Sequence, residues 1–341
     1  MFTLGTSKVP TGAEALPTMG GNISSRTRLN GILSGLASAL IWGAFPVITR
    51  LGLTHASMTG YDITFIRYTV SGLVLLPYLL RHGLMGLGWK PIVLMVAGIG
   101  APYMLVVSFG LTAAPVEQFA VVTPASMIVF SALLSRWIMG TPLAVRARVG
   151  IVVIIAGVGL AGYHGLTSPQ ASFYAYPIFL LGGLLWAIYT VSSKYYATSA
   201  LHVTAVVSVF SMLLYAPLYL AFFGSRLLQF PLMDLAMQGI YQGLVVSIAA
   251  LFFFSNAVQL LGAAIGATFA ALVPGSAIVL AALVLGEPPS LVAIVGLLVV
   301  SAGMATVLWQ RHPAAGSISS PDTVLSSDRG DNSETRENLN G

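Results

Sequence analysis

Long apolar segments recur along the chain, and short polar connections separate them. Each segment contains roughly 18 to 24 residues, which at about 1.5 Å of helical rise per residue is enough to cross a hydrocarbon layer of about 30 Å. The pattern predicts ten helices, with boundaries good to a few residues, at about 31–53, 61–80, 91–112, 115–138, 146–163, 175–195, 202–223, 236–259, 264–285 and 290–309.

The composition indicates that these helices lie in a lipid bilayer. Of the 341 residues, 57% are hydrophobic and only 7% are charged, whereas about a quarter of the residues of a soluble domain are charged. A soluble core cannot bury so much apolar surface, so the predicted fold class is an all-α integral membrane protein. The absence of cysteine excludes disulfides, thiol catalysis and cysteine metal sites.

The two ends of the chain are polar. Residues 1–30 lack the compact regions of a secretory signal, so we expect a solvated N-terminal tail. Residues 312–341 are rich in Ser, Asp and Asn, and this composition predicts a disordered C-terminal tail. The net charge of +5 comes with basic residues in the loops between spans, so no nucleic-acid partner is needed to explain it.

The distribution of Lys and Arg predicts the orientation. An even number of spans places both termini on one side, and positive residues favour the cytoplasmic side. If the termini are cytoplasmic, the outer flanks carry only Arg50 and Arg226. The inner flanks then carry Arg26, Arg28, Arg81, Lys90, Arg136, Arg146, Arg148, Lys194 and Arg311. We therefore expect a multi-pass membrane protein with both termini in the cytoplasm.

The halves 31–163 and 175–309 resemble one another. Trp42 in "ALIWGAFPVITR" matches Trp186 in "GLLWAIYTVSSK". Further matches are Ser71 with Ser211, Pro77 with Pro217, Pro124 with Pro274, Ser126 with Ser276, and Gly150 and Gly157 with Gly296 and Gly303. Each half contains five predicted spans, and an odd number means that the second half is inverted relative to the first. The prediction is two inverted five-helix repeats.

Inverted repeats of this kind favour a transporter. They place a cavity near the membrane midplane that can open alternately to either side, which is the arrangement of a secondary carrier of small molecules. Two alternatives stay open: a channel-like pore for small solutes, and a duplicated bundle that serves only as a membrane scaffold. The sequence has no zinc-protease, phosphate-loop or nucleophile-elbow motif, so neither an enzyme nor a cofactor is predicted, and uphill transport would need an ion gradient.

The segment "GAAIGATFAALVPGSAIVLAALVLGEPPSLVAIVGLLVVSAGMATVL" resembles the second repeat of the EamA family in the drug/metabolite transporter superfamily. The shared features are small residues that open the ninth helix, a Leu-x-Pro within it, a Leu-Gly-Glu at its end and glycines in the tenth. In this chain they are Gly262–Thr268, Leu272–Pro274, Leu285–Glu287, and Gly296 with Gly303. In the first half, "FIRYTVSGLVLLP" with Arg67 resembles the second helix, but Met139, Gly140 and Thr141 replace Leu-Gly-Glu.

This resemblance implies a secondary carrier of the inner membrane with cytoplasmic termini. Members of the family often export amino acids or other small metabolites. The departure at Thr141 leaves the first repeat without the carboxylate that ends the equivalent helix of the second repeat. No individual motif identifies the substrate.

The predicted membrane domain contains four acidic residues, Asp62, Glu117, Asp234 and Glu287, and the orientation above places all four at the outer side. Glu117 has two interpretations. Beside Pro115 it fits the first turn of a helix, where the dipole favours an anion by about 0.3 to 1 kcal/mol. Shielded from lipid, it could instead take up a proton or bind a cationic substrate group.

Two further positions define the face below Glu117. Pro124 lies on the same helical face, two turns deeper, and leaves the carbonyl of Ala120 without its usual donor. Pro274 is its counterpart in the second repeat. Glu287 lies in the turn "GEPPS", where an exposed structural charge is the expectation.

Arg67 lies about two turns inside its predicted helix. A guanidinium at that depth needs a partner, and Asp62 and Glu117 are the acids expected at its level. The resulting pair would be architectural, although Arg67 could instead bind a substrate carboxylate.

Several uncharged residues are also candidates for the substrate pathway. Tyr103, Ser108 and Asn256 are polar groups within predicted spans, which either form hydrogen bonds between helices or line a cavity. Trp42 and Trp186 occupy matching mid-helix positions, away from the interface where tryptophan is common. They either form an aromatic cavity wall or pack in the core.

Overall fold

The protein was analysed as a computed structural model that describes residues 25–140, 142–167, 173–196 and 199–308. The predicted C-terminal tail, residues 1–24 of the predicted N-terminal tail, and Thr141 lie outside the described residues. The first half contains helices α1 Ser25–Thr54, α2 Gly60–His82, α3 Trp89–Ile99, α4 Ala101–Ala113, α5 Val116–Met139 and α6 Val145–Thr167. The second half contains α7 Ala175–Tyr195, α8 Ala200–Phe223, α9 Leu232–Gln238, α10 Ala250–Leu261, α11 Ala263–Val284 and α12 Leu291–Leu308.

The described chain is helical and apolar, as predicted. In the ranges given above, 7 helical segments are long and apolar enough to cross a membrane, and Phe269–Val284 and Leu291–Val307 are shorter apolar helices. Large hydrophobic side chains such as Leu80, Phe222 and Leu283 are mostly exposed on the outer surface, where lipid is the solvent that suits them. An integral helical fold is therefore confirmed, and the number of ten transmembrane helices stays a prediction.

Two boundaries differ from the prediction. Helix α1 begins at Ser25, because no Gly or Pro interrupts the polar residues that precede the apolar segment. The predicted third helix consists of α3 and α4, which are separated at Gly100 with φ −83° and ψ −151°. Pro102, near the start of α4, has no N–H for the preceding turn, so a continuous helix would lose a hydrogen bond at this point.

The predicted eighth helix is irregular. A 3₁₀ turn at Gly224–Gln229 leads to α9, and a π-helix at Gly239–Ala249 joins α9 to α10. Within the π-helix a Cβ atom at Gly243 would lie 2.7 Å from the side chain of Val70, so glycine permits close contact with α2. π-Helical turns often occur at functional sites.

Two pairs of helices that correspond between the halves run antiparallel to each other. In α6 and α12, a Cβ at Gly150 would lie 2.8 Å from the carbonyl oxygen of Gly303, and a Cβ at Gly296 would lie 3.5 Å from that of Gly157. The early residue of one helix thus meets the late residue of the other. Helices α2 and α8 do the same, because Tyr215 donates to the carbonyl of Tyr61, and a Cβ at Gly72, later on α2, would lie 2.7 Å from the side chain of Met212, earlier on α8. The two halves are therefore inverted relative to each other.

The close contact of Gly150 on α6 with Gly303 on α12 leads to a prediction about stability. Gly150→Ala is expected to destabilise the protein by about 1–3 kcal/mol, because its methyl group would overlap the backbone of α12. Gly159→Ala is the matched control, since a Cβ there has no neighbour within 4 Å and alanine favours the helix. Thermal unfolding in detergent, followed by tryptophan fluorescence, measures both. Equal unfolding temperatures for the two variants would contradict the close crossing.

Candidate functional site

At one end of the bundle, a carboxylate from each half accepts a hydrogen bond from the backbone at the start of a helix in the other half. Arg50 Nε of α1 donates to Glu287 Oε1 at 2.5 Å, and the Val116 N–H of α5 donates to Glu287 Oε2 at 3.1 Å. In return, the Ser290 N–H before α12 donates to Glu117 Oε2 at 3.0 Å. These five residues, Arg50, Val116, Glu117, Glu287 and Ser290, form what we call the interrepeat contact.

This geometry corrects one sequence expectation and extends another. Glu287 is not a freely exposed charge, because its side chain is only 25% exposed and that of its partner Arg50 only 16%. Glu117 lies in the first turn of α5 as predicted, but its carboxylate accepts from the start of α12. Since N–H groups at helix starts carry partial positive charge, both carboxylates stabilise the interrepeat contact.

A third carboxylate at the same end is fully buried. Asp62 is 0% exposed and accepts from the Tyr219 hydroxyl at 2.6 Å, from Arg226 Nη2 at 3.4 Å, and from both the N–H and the hydroxyl of Thr59 at 2.7 Å. Tyr219 lies on α8 and Arg226 follows it, so Asp62 joins α2 to α8. Because every hydrogen-bond donor to Asp62 comes from the protein itself, we interpret this carboxylate as an architectural residue.

Arg67 does not have the acidic partner that the sequence predicted. Within the described residues the ion pairs join Arg50 to Glu287 and Arg226 to Asp62, and neither includes Arg67. Asp62 is turned towards Tyr219 and Glu117 towards Ser290. Both acids therefore satisfy other donors, because each lies nearer the end of the bundle than the guanidinium does.

The guanidinium lies instead in a buried cluster of neutral polar groups. Arg67 Nη1 donates to Gln242 Oε1 at 3.1 Å, and Gln242 Nε2 donates to Thr49 Oγ1 at 2.9 Å. Gln238, one turn before Gln242, donates from Nε2 to the carbonyl of Ile48 at 2.8 Å. We call Thr49, Arg67, Gln238 and Gln242 the arginine–amide cluster; its members come from α1, α2, α9 and the π-helix.

Aromatic rings enclose the charge of this cluster. The guanidinium carbon of Arg67 lies 5.1 Å from the centroid of Phe45 and 5.6 Å from that of Tyr68, which are cation–π distances. The predicted pathway residue Tyr103 is buried at 4% exposure.

Sequence reasoning missed Gln238 and Gln242. Their signal is the spacing in "MQGIYQGL", which places two amides on the same side of an otherwise apolar segment. Polar groups in such a segment require partners.

The remaining predicted residues divide between packing and polar contacts. The ring centroid of Trp42 lies 5.2 Å from that of Phe254 on α10, and the ring centroid of Trp186 lies 6.1 Å from that of Tyr103 on α4. Each of the matched tryptophans therefore packs against an aromatic ring of the other half. Asn256 Nδ2 donates to Ser34 Oγ at 2.8 Å, which is the interhelical bond that one interpretation expected.

Three predicted residues lie on other parts of the helices. Ser108 is 0% exposed and its hydroxyl has no hydrogen-bond partner in the structure. Pro124 and Pro274 lie inside α5 and α11. None of these three belongs to the interrepeat contact or to the arginine–amide cluster, so the structure does not gather all the predicted positions into one site.

Comparison with known proteins identifies the class of the chain. The sequence profile described as the EamA-like transporter family matches residues 29–163 and again residues 173–309. A protein of known crystal structure is similar in fold, with a TM-score of 0.51 and 21% identity, over 82% of this chain and 96% of the other. No curated protein matches the chain significantly.

The two matches cover both halves of the chain, so the two-repeat organisation predicted from the sequence is confirmed. The family lies within the drug/metabolite transporter superfamily, is not an enzyme family, and indicates a membrane transporter of small solutes. The chain therefore belongs to the EamA-like transporter family.

Proposed function

We propose that this protein is a secondary carrier that works by alternating access, and that the interrepeat contact closes one end of its pathway. The observation that carries the proposal is the reciprocal binding of Glu287 to the start of α5 and of Glu117 to the start of α12. Opening this end requires the two halves to separate there. Both carboxylates would then exchange N–H donors for water, which offsets part of the cost of opening this end.

Helix α1 offers a route from this closure to the interior. The neighbouring residues Thr49 and Arg50 belong to different sites: Arg50 binds Glu287 in the interrepeat contact, and Thr49 accepts from Gln242 in the arginine–amide cluster. A movement of this part of α1 therefore changes both sites. Coupling between a substrate site and a closure is what alternating access requires.

The finer features of transport follow from the sequence. The distribution of Lys and Arg supports cytoplasmic termini, which would place the interrepeat contact at the outer side of the inner membrane. The family resemblance supports export of amino acids or related small metabolites. Glu117 supports proton coupling, because protonation would remove the charge that holds the Ser290 N–H and would weaken the outer closure.

Glu117→Gln tests the proton coupling. We expect the variant to lose most of the flux that an imposed pH gradient drives, since glutamine cannot change its charge. Export of a panel of radiolabelled amino acids and related metabolites from expressing cells first selects a transported solute. Gradient-driven flux of that solute into proteoliposomes then compares wild type with Glu117→Gln. Undiminished gradient-driven flux in the variant would rule out Glu117 as the coupling residue.

The same proteoliposomes distinguish the alternatives. A carrier gives saturable flux and exchange of labelled for unlabelled solute across the membrane. A channel-like pore gives flux that rises without saturation and does not depend on the gradient, and a scaffold gives no flux. Either of the last two results would contradict alternating access.

A further inference from the structure

Arg67 is a buried cation with no acidic side chain paired to it in the described part of the chain. The residue is 9% exposed, and its Nε atom is buried with no hydrogen-bond acceptor. By contrast, Arg50 forms an ion pair with Glu287, and Arg226 forms one with Asp62. The same structure therefore pairs its peripheral arginines and leaves the more deeply buried one with neutral partners.

This arrangement is costly for a purely architectural residue. Removing a guanidinium from water without a counter-ion is strongly unfavourable, and neutral hydrogen bonds and aromatic faces recover only part of that cost. The fully buried Asp62 shows the contrast, because donors from Thr59, Tyr219 and Arg226 surround it. In the arginine–amide cluster, by comparison, both Arg67 Nε and Gln238 Oε1 lack a partner.

The N–H donors of Arg67 are arranged to bind an anion. Nη1 is occupied by Gln242 Oε1, and this bond fixes the orientation of the planar group. The Nε–H lies on the opposite edge of the guanidinium, together with one N–H of Nη2, and these two parallel donors match the two oxygens of a carboxylate. Phe45 and Tyr68, which lie against the guanidinium, keep water away and strengthen such a pair.

We propose that Arg67 binds the carboxylate of the transported solute, with Gln242 as the positioning residue that holds the guanidinium. The inference rests on the proposed carrier function and narrows its substrate class to small organic carboxylates. Because Gln242 also donates to Thr49 on α1, a carboxylate at Arg67 would act on the helix that carries Arg50 of the interrepeat contact. Substrate binding and closure would then share one element.

The experiment uses matched probes on the purified full-length protein in detergent. The probes are L-leucine, lactate and benzoate, each beside its carboxamide, so that only the carboxylate differs within a pair. We expect at least one acid, but not its amide, to raise the thermal unfolding temperature in a saturable manner. Arg67→Gln is expected to weaken that binding at least about tenfold, and Arg67→Lys to retain part of it as a single point charge.

A second variant keeps the test decisive if Arg67→Gln does not fold. Gln242→Glu places a carboxylate beside Arg67, so it is expected to raise the unfolding temperature without ligand and to abolish the response to the acids. Arg226→Gln is the control, since it removes an arginine that already binds Asp62, and it is expected to keep the distinction between acid and amide.

Three results would overturn the proposal: no response of wild type to any acid, equal responses to an acid and its amide, or an unchanged acid response in Arg67→Gln or Gln242→Glu. Failure of the carrier function is separate from these results. A wild type that binds an acid saturably but moves no solute in proteoliposomes contradicts transport alone, whereas saturable transport of neutral amides without any acid binding contradicts the carboxylate site alone.

Discussion

Replacing Glu287 with glutamine is expected to open the end of the bundle that carries the interrepeat contact. Glutamine keeps the size of the side chain, but it removes the negative charge that holds Arg50 Nε and the start of α5. Charge-assisted hydrogen bonds contribute about 1.5–3 kcal/mol each. Their loss should therefore shift the equilibrium towards the open state by about tenfold or more.

The lack of cysteine in the chain makes this shift directly measurable. Ala120 lies one turn beyond Glu117 on α5 and is only 1% exposed, so a cysteine at this position is protected while the contact is closed. We expect Glu287→Gln to increase the rate at which a membrane-impermeant maleimide labels Ala120→Cys, by about tenfold.

Asp234→Asn in the same cysteine background is the matched control. Asp234 opens the short helix α9 and is another acid of the membrane domain, but it is not part of the interrepeat contact. Its removal should leave the labelling rate close to that of the parent. Slow labelling of both variants would show that the contact does not control access at this end.

The largest loss of stability is expected for Asp62→Ala. The substitution removes a fully buried acceptor and leaves the Tyr219 hydroxyl and the Thr59 N–H without their partner, while Arg226 loses its counter-ion. Breaking a buried charge network from one side costs about 3–5 kcal/mol. The free energy of unfolding in mixed micelles, measured by denaturant titration, should fall by that amount.

Asp234→Ala again provides the comparison, because this acid is partly exposed. Its removal is expected to change the free energy of unfolding by less than about 1 kcal/mol. Asp62→Asn should give an intermediate loss, since the amide oxygen still accepts from Tyr219. A small effect of Asp62→Ala would mean that the packing of α2 against α8 does not depend on this carboxylate.

The local features of the chain could be predicted because they depend on residues close in sequence. Apolar length predicts the helices, although it did not predict the break at Gly100, two residues before Pro102, that separates α3 from α4. The repeat can be found by matching positions such as Trp42 with Trp186, and the antiparallel contact of Gly150 with Gly303 follows from inversion. These conclusions need only the length and spacing of apolar residues, the matching of positions between the halves, and the odd number of spans in each half.

The partners of the charged residues could not be predicted in this way. Arg67 and Asp62 lie five positions apart on α2, which made a pair plausible, yet Asp62 turns to Tyr219 of the other half. Gln242, which binds Arg67, is distant in sequence and belongs to a π-helix that no local pattern indicated. The choice among several buried partners depends on which helices touch, and that is a property of the packed molecule.

The sequence by itself therefore determined an inverted pair of apolar helical repeats with a few charges concentrated towards one end, because hydrophobic length, charge bias and internal similarity are properties of the chain. Only the tertiary structure decided that Glu117 and Glu287 bind each other's helix starts and that Arg67 lies among amides without an acid. Hydrogen bonds and ion pairs act over a few ångströms, so their partners are fixed only when distant segments have been brought into contact.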